Sequence, residues 1–184
     1  VRLGILLMLV CSATLIVAIP SIPSTWDADM MLISSKKGTG SFFYGHYWSS
    51  AVDGERREFF EQGYPYVTVN NCVNGTVCEY YEFMPGSCQC AKGACTHLLS
   101  FLSEAKVGSN APCGQLPNGG LNPASKNESC TIWSDGTTKL ACISADNAVC
   151  WVSVEYALTL SYYSFTNWST EVLSNFLMLP GMCK

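Results

Sequence analysis

Histidine is scarce in this 184-residue chain, where only His46 and His97 occur. Each stands alone in its segment, and neither belongs to a G-x-S-x-G, H-E-x-x-H or glycine-rich phosphate-binding motif. A nucleophilic triad would need partners from distant parts of the chain. The sequence therefore predicts a protein that is not an enzyme, and a secreted hydrolase using either histidine is the weaker alternative.

Basic side chains are also few, with ten Lys and Arg against fourteen Asp and Glu. They do not cluster beyond the pairs Lys36-Lys37 and Arg56-Arg57, which are typical of solvated turns. A nucleic-acid interface needs a clustered basic surface. The composition therefore excludes nucleic acid as a partner.

Charge is missing altogether from residues 3–19, LGILLMLVCSATLIVAI. Arg2 precedes this run and PSIPS follows it, which is the order of a secretory signal peptide. We predict that residues 1–21 are a signal peptide that is cleaved and that residues 22–184 form one domain. The alternative is that the run stays in place as a membrane anchor. With the segment removed, no stable membrane span is expected.

Cysteine, in contrast, is abundant. Removal of the predicted signal peptide takes Cys11 from a total of eleven and leaves ten in a secreted chain, which predicts up to five disulfides. Cys88 and Cys90 are too close to pair with each other, so each is expected to reach elsewhere. In an oxidising compartment the cluster CQCAKGAC favours disulfides over a thiolate metal site. The ten are Cys72, Cys78, Cys88, Cys90, Cys95, Cys113, Cys130, Cys142, Cys150 and Cys183.

Three N-glycosylation sequons begin at Asn74, Asn127 and Asn167. Together with the cysteines they predict a glycoprotein that is secreted to the extracellular space or lies in the lysosomal lumen.

Short apolar stretches bounded by turn residues dominate the remaining sequence. Asn74-Gly75 and Asp135-Gly136 predict hairpin turns, and residues 149–165 alternate as one bent strand or two short ones. One face of that stretch is expected to carry Val152, Val154, Tyr156, Leu158, Leu160 and Tyr162.

Helical spacing occurs at residues 95–108, and a brief second helix is predicted from Ser169. Residues 109–130 are expected to form a long loop pinned by Cys113 and Cys130. Seven or eight strands with one or two helices and no βαβ rhythm predict a β-dominated, antiparallel α+β domain.

The stretch SFFYGHYWSSAVDGERREFF at residues 41–60 predicts a hairpin that turns at Asp53-Gly54 and pairs Trp48 with Phe59. Both of its faces are then aromatic far from the turn and polar near it. A curved sheet with two apolar faces needs cover on both. Helices can cover one face, and an apolar guest can occupy the remaining cavity.

Four segments resemble the ependymin-related proteins, secreted relatives of the bacterial lipoprotein-carrier fold. They are FFYGHYWSSAVDGERREFFE, NNCVNGTVCEYYEF, WSDGTTKLACISADNAVCWVSV and SYYSFTNWSTEVLSNFLMLPGMC, which cover most of residues 41–183. The resemblance implies a curved antiparallel half-barrel with one or two helices against its concave face. It also implies a glycoprotein that binds a hydrophobic molecule, often as a dimer. Calcium association is implied as well, without an assignable residue.

The predicted function is therefore that of a disulfide-stapled carrier of a lipid or fatty acid-like ligand, with no other cofactor. An extracellular matrix or adhesion module that meets a protein partner is the alternative. A calcium ring that includes Asp27 and Asp29 is a further hypothesis. The side chains expected to line the cavity are Tyr47, Trp48, Phe59, Tyr81, Phe83, Trp133, Tyr156, Leu158 and Leu160.

Overall fold

A single antiparallel sheet of eleven strands organises the chain. The computed structural model describes residues 18–36, 39–61, 64–81, 88–117, 120, 128–157, 159–172, 174–179 and 183. The strands are β1 (Thr25–Lys36), β2 (Thr39–Ser50), β3 (Gly54–Glu61), β4 (Tyr64–Asn71), β5 (Thr76–Tyr81), β6 (Gln89–Lys92), β7 (Lys106–Pro112), β8 (Ser129–Ser134), β9 (Lys139–Ser144), β10 (Val149–Tyr156) and β11 (Thr159–Ser169). Their order in the sheet is β6-β5-β4-β3-β2-β1-β11-β10-β9-β8-β7. Two meanders, β1–β6 and β7–β11, thus join where the first strand pairs with the last.

The β-dominated antiparallel part of the predicted fold is confirmed, but its helices are not. Among the described residues the only helix is a 3₁₀ helix at Ser100–Glu104. The predicted helix at 95–108 is cut short because Lys106 already pairs with Ser134 in β8. The second predicted helix, from Ser169, is absent as well, because residues 170–172 and 174–179 form turns and irregular chain after β11 ends.

The predicted register of the 41–60 hairpin is wrong by three residues. Its turn is Ala51–Val52–Asp53, and Ser50 pairs with Gly54, which takes a φ of 130°. Trp48 therefore faces Arg56 rather than Phe59. Because side chains alternate between the faces of a strand, an odd shift moves every β3 side chain to the opposite face.

Residues 149–165 form two strands, and the single apolar face expected for them is wrong. Ala157 turns the chain with a φ of 53° between β10 and β11. Val152 and Val154 then pack in the main core, whereas Leu160 and Tyr162 pack in a different cluster. Leu158 lies outside the described residues.

The two faces of the sheet carry separate clusters. We call the face that residues 96–105 cover the inner face and those residues the cover segment. The inner cluster is continuous from β8 to β3, and the cover segment adds Leu98 and Leu102 to it. On the outer face, one cluster surrounds Trp151 and another lies at Val67, Val69 and Tyr80.

Five disulfides join the ten predicted cysteines, which confirms that part of the sequence analysis. The pairs are Cys72–Cys95, Cys78–Cys90, Cys88–Cys183, Cys113–Cys150 and Cys130–Cys142. As expected, Cys88 and Cys90 have different partners. A search of the described residues for a helix that is long and apolar enough to cross a bilayer gives none.

Candidate functional site

The inner face is built around Trp26, whose exposed fraction is 2%. Its indole stacks on Trp168 with ring centres 4.1 Å apart and approaches Tyr47 and Phe165 at 4.7 and 5.4 Å. Strands β1, β2 and β11 supply these rings because every second residue points to the same face. Gly45 lets β2 approach β3 closely, since a Cβ there would collide with the Glu58 carbonyl. The result is an aromatic wall at the centre of the sheet.

A cavity of about 370 Å³ lies beside this wall, at the edge of the cover segment. Trp26, Ala51, Leu99 and Leu102 contribute apolar surface to it. Residues 22–24 also line it, as do residues 19–21, which belong to the predicted signal peptide. Its volume falls in the range of small-molecule pockets. This arrangement can hold an apolar group between the sheet and the cover segment.

Glu55 ties the cover segment to the sheet, although its own exposed fraction is only 3%. Its carboxylate accepts hydrogen bonds from the Tyr47 hydroxyl at 2.6 Å, the Leu98 backbone N–H at 2.8 Å and the Arg57 guanidinium. Burial and then the Glu55 charge raise the pKa of Tyr47 well above its ordinary value. Burial, the largest single effect, would lower the pKa of Arg57, but the Glu55 carboxylate together with Tyr163 and Tyr47 raises it above its ordinary value. Both groups therefore keep their protons and donate to the carboxylate.

On the outer face, His46 lies between two carboxylates of β1. Its Nδ1 is 3.0 Å from Asp29 and its Nε2 is 3.1 Å from Asp27. Asn167 donates to Asp29 at 2.6 Å, and this bond is the main reason that the pKa of Asp29 is lowered. Each ring nitrogen of His46 therefore faces a carboxylate. The two carboxylates proposed for calcium are the partners of this histidine.

His97 packs against a disulfide. Its Nε2 is 3.4 Å from the sulfurs of both Cys72 and Cys95. These three groups come close enough to suggest a metal site, but the disulfide uses the thiolates that would bind the ion. The second close group, of Cys113, Cys130 and Cys150, is likewise taken up in disulfides.

Three of the predicted cavity residues come together in the inner cluster, namely Tyr47, Phe59 and Trp133. Others lie apart from it. Trp48 stands on the outer face against the His46 ring at 4.3 Å, Leu160 packs near Trp151, and Tyr156 is 80% exposed. The structure gives Tyr81 only its backbone pairing with Tyr66, and Phe83 and Leu158 lie outside the described residues.

The stretch MMLISS predicts a strand only from Met30, so the first part of β1 is missed by sequence reasoning, as is the polar centre of the inner face. In this strand every second residue belongs to the inner cluster, namely Trp26, Ala28, Met30 and Leu32. The residues between them point to the outer face, and this alternation could have placed the start of the strand at Thr25. Glu55 shows no such signal, because a charged residue after a turn normally predicts exposure.

Two of the predicted glycosylation sites lie at exposed turns or bulges. Asn74 is exposed at the β4–β5 turn, while Asn167 is exposed but uses its side-chain amide to bind Asp29. Asn127 is outside the described residues.

Comparisons with known proteins give a fold and no family. No family model matches the chain, and no curated protein matches it. Among solved structures, an uncharacterized conserved protein from Thermus thermophilus is 12% identical, with a TM-score of 0.51 over 86% of each chain. That likeness shows the fold alone.

Two further solved structures are more distant. A LolA superfamily protein from Nitrosomonas europaea is 7% identical with a TM-score of 0.41, over 88% of this chain and 93% of its own. A DUF1329 family protein from Desulfovibrio piger is 10% identical with a TM-score of 0.34, over 84% and 90%. The ependymin family expected from the sequence finds no support, because no family model matches.

Proposed function

We propose that this chain binds an apolar ligand on the inner face of its sheet, beneath the cover segment. The observation that carries the proposal is the 370 Å³ cavity between the cover segment and the wall at Trp26. Apolar area removed from water would supply the binding free energy, at about 25 cal/mol per Å². The ligand class is a lipid or another molecule with an alkyl chain.

The cover segment is suited to opening because few of its side chains are buried. Within this segment only Leu98 and Leu102 are buried. Its 3₁₀ helix has no side-chain hydrogen bond at its N-terminal end. The Cys72–Cys95 disulfide holds the chain just before this segment, and β7 holds it just after. A loop fixed at both ends and weakly packed between them can move without unfolding the sheet.

The cysteine chemistry supports a proposal about the compartment. Five disulfides require an oxidising environment, so we propose that the protein acts in the extracellular space or in a lumen connected with it. N-glycans at Asn74 and Asn127 are part of this proposal. We propose no catalytic role, since both ring nitrogens of His46 face carboxylates and Nε2 of His97 lies against the Cys72–Cys95 disulfide.

A binding assay with N-phenyl-1-naphthylamine, an uncharged apolar dye, tests the proposal. Ser103 is exposed and lines the cavity, so Ser103→Phe should fill part of it and weaken dye binding by about tenfold. Ser109→Phe, at an exposed position of β7 outside the cavity lining, is the matched control and should leave the affinity unchanged. Equal binding by both variants, or no dye uptake by the wild-type protein, would refute the proposal.

A second candidate function, an interaction module, is favoured by one feature of the outer face. Phe42, Tyr44 and Phe60 are 64%, 65% and 54% exposed there, although aromatic side chains are usually buried. In that case Phe42→Ser and Tyr44→Ser should abolish self-association in sedimentation velocity without changing dye uptake. A monomer at every concentration would argue against a homodimer through this face.

A further inference from the structure

A second, smaller cavity lies on the inner face, on the other side of the cover segment. Its volume is about 200 Å³, which is below the range of pockets for whole ligands. The strands beneath it are β3, β4 and β5, and Thr96 of the cover segment forms one wall. Its lining residues are Glu55, Arg57, Thr68, Val69, Asn70, Val77, Glu79 and Thr96.

The two cavities are close neighbours in the chain and in the sheet. Thr96 lines the smaller one, and His97 lines the larger one. Ser49 of the larger cavity pairs across the strands with Glu55 of the smaller cavity. A ligand that lifts the cover segment at this point would therefore reach both spaces at once.

The smaller cavity is lined by two acidic side chains and one basic side chain. Glu55 and Arg57 form an ion pair, and the guanidinium lies 5.4 Å from the centre of the Tyr163 ring. Their charges cancel, and Arg57 is already engaged on two sides. Glu79 has no hydrogen bond or ion pair through its carboxylate within the part of the chain that the structure describes. The lining thus carries one uncompensated negative charge.

A buried acceptor also lacks a donor in this cavity. Asn70 is 8% exposed, and its side-chain N–H group donates to the Thr96 carbonyl and, at 3.2 Å, to the Thr96 hydroxyl. Its Oδ1 atom is buried and has no hydrogen-bond partner among the described residues. Leaving such an oxygen unpaired is unfavourable. The oxygen is covered in this structure, so a ligand that lifts the cover segment at Thr96 and brings an N–H donor would be stabilised here.

We propose that the smaller cavity receives the head of the apolar ligand and that this head is a primary ammonium group. This inference rests on the proposed function. An ammonium group supplies three donors and a positive charge, which match the Asn70 oxygen and the Glu79 carboxylate. A fatty-acid carboxylate would instead meet an acceptor and a like charge. The site therefore selects alkylamines over fatty acids.

Competition against N-phenyl-1-naphthylamine at neutral pH tests this selectivity with three ten-carbon amphiphiles. Decylamine should displace the dye at a concentration about tenfold lower than decanoate, because a charge-assisted hydrogen bond is gained in one case only. Decyl maltoside, with an uncharged hydroxyl-rich head, should lie between them. All three are used below their micelle-forming concentrations.

Matched variants separate the cavity from the overall negative charge of the protein. Glu79→Gln should reduce the tenfold preference to about threefold or less. Glu155→Gln removes the same charge from an exposed position on β10 and should leave the preference intact. Asn70→Ala, which removes the orphaned oxygen, should weaken decylamine binding more than decanoate binding.

The outcomes distinguish this inference from the proposed function. If decanoate or decyl maltoside binds best, or if Glu79→Gln leaves the preference unchanged, the ammonium assignment is wrong while apolar binding stands. If none of the three displaces the dye and the dye itself does not bind, both proposals fail.

Discussion

The two faces of this sheet are both rich in aromatic side chains, but they are covered in different ways. On the inner face one cluster runs from β8 to β3 beneath the cover segment. On the outer face two clusters lie at opposite ends of the sheet. Between them Phe42, Tyr44 and Phe60 remain exposed. The same strands thus supply a closed face and a partly open one.

The chain segments that lie over the two faces differ in how disulfides attach them to the sheet. At one end of the outer face, Leu177 and Leu179 lie over Val67 and Val69 near the Cys88–Cys183 disulfide. At the other end, Leu116 lies in the cluster that contains the Cys113–Cys150 disulfide. Each outer cover is therefore fixed covalently within its own cluster. The cover segment of the inner face has a disulfide only at its beginning, and this difference supports our proposal that the inner face is the one that opens.

Truncating a central ring should show the largest contrast between the faces. Trp26→Ala removes a side chain that is 2% exposed and contacts three other rings, so it should lower the free energy of unfolding by about 4 kcal/mol. Tyr44→Ala, on the outer face, should change it by less than about 0.5 kcal/mol. Denaturant titration with the disulfides intact measures both. Similar losses for the two variants would show that the outer patch is buried in the working protein.

Two acidic residues of the same strand offer a second contrast. Glu55→Ala leaves Arg57, the Tyr47 hydroxyl and the Leu98 N–H without their acceptor, and should cost about 3 kcal/mol. Glu58→Ala removes the outer-face pair with Arg56, at 3.0 Å, and should cost no more than about 1 kcal/mol. Denaturant titration with the disulfides intact measures both changes in the free energy of unfolding. A smaller loss for Glu55→Ala than for Glu58→Ala would contradict the polar centre described for the inner face.

The smallest expected effect is the loss of folding stability that acid causes at Asp29, on the outer face. The Asn167 hydrogen bond lowers the pKa of Asp29 in the folded state, so its stabilisation is present above the unfolded value and is lost as pH falls through the folded value. Because Asp29 is about half exposed, the wild-type protein should lose only about 0.3 kcal/mol at this site between pH 5 and pH 3. Asn167→Ala should reduce that loss. If the variant is instead more sensitive to acid than the wild-type protein, the assigned cause is wrong.

Much of the fold could be predicted from local chemistry. Asn74-Gly75 and Asp135-Gly136 lie in the turns between β4 and β5 and between β8 and β9, where turn propensity acts over a few residues. The pairing of all ten cysteines followed from the even number left after the signal segment. The individual partners did not follow, because Cys88 and Cys183 meet across 95 positions of sequence.

The candidate site was harder to predict because it depends on register. Tyr47 and Phe59 do belong to the inner cluster, but Trp48 lies on the opposite face. The actual three-residue turn before Gly54 reverses the face of every β3 side chain, and local sequence does not choose between the two turn lengths. The cover segment resembled a helix because its leucines have helical spacing. Its neighbouring strand β7 then competed for the backbone hydrogen bonds from Lys106 onward.

Anomalous diffraction from a crystal grown with 10-bromodecylamine tests the central claim most directly, because the bromine marks the end of the alkyl chain. We predict a single bromine peak on the inner face, between the cover segment and Trp26. A peak on the outer face beside Tyr44 and Phe60, or no peak in crystals grown at a saturating concentration of the amine, would contradict the claim that the inner face opens to hold an apolar ligand.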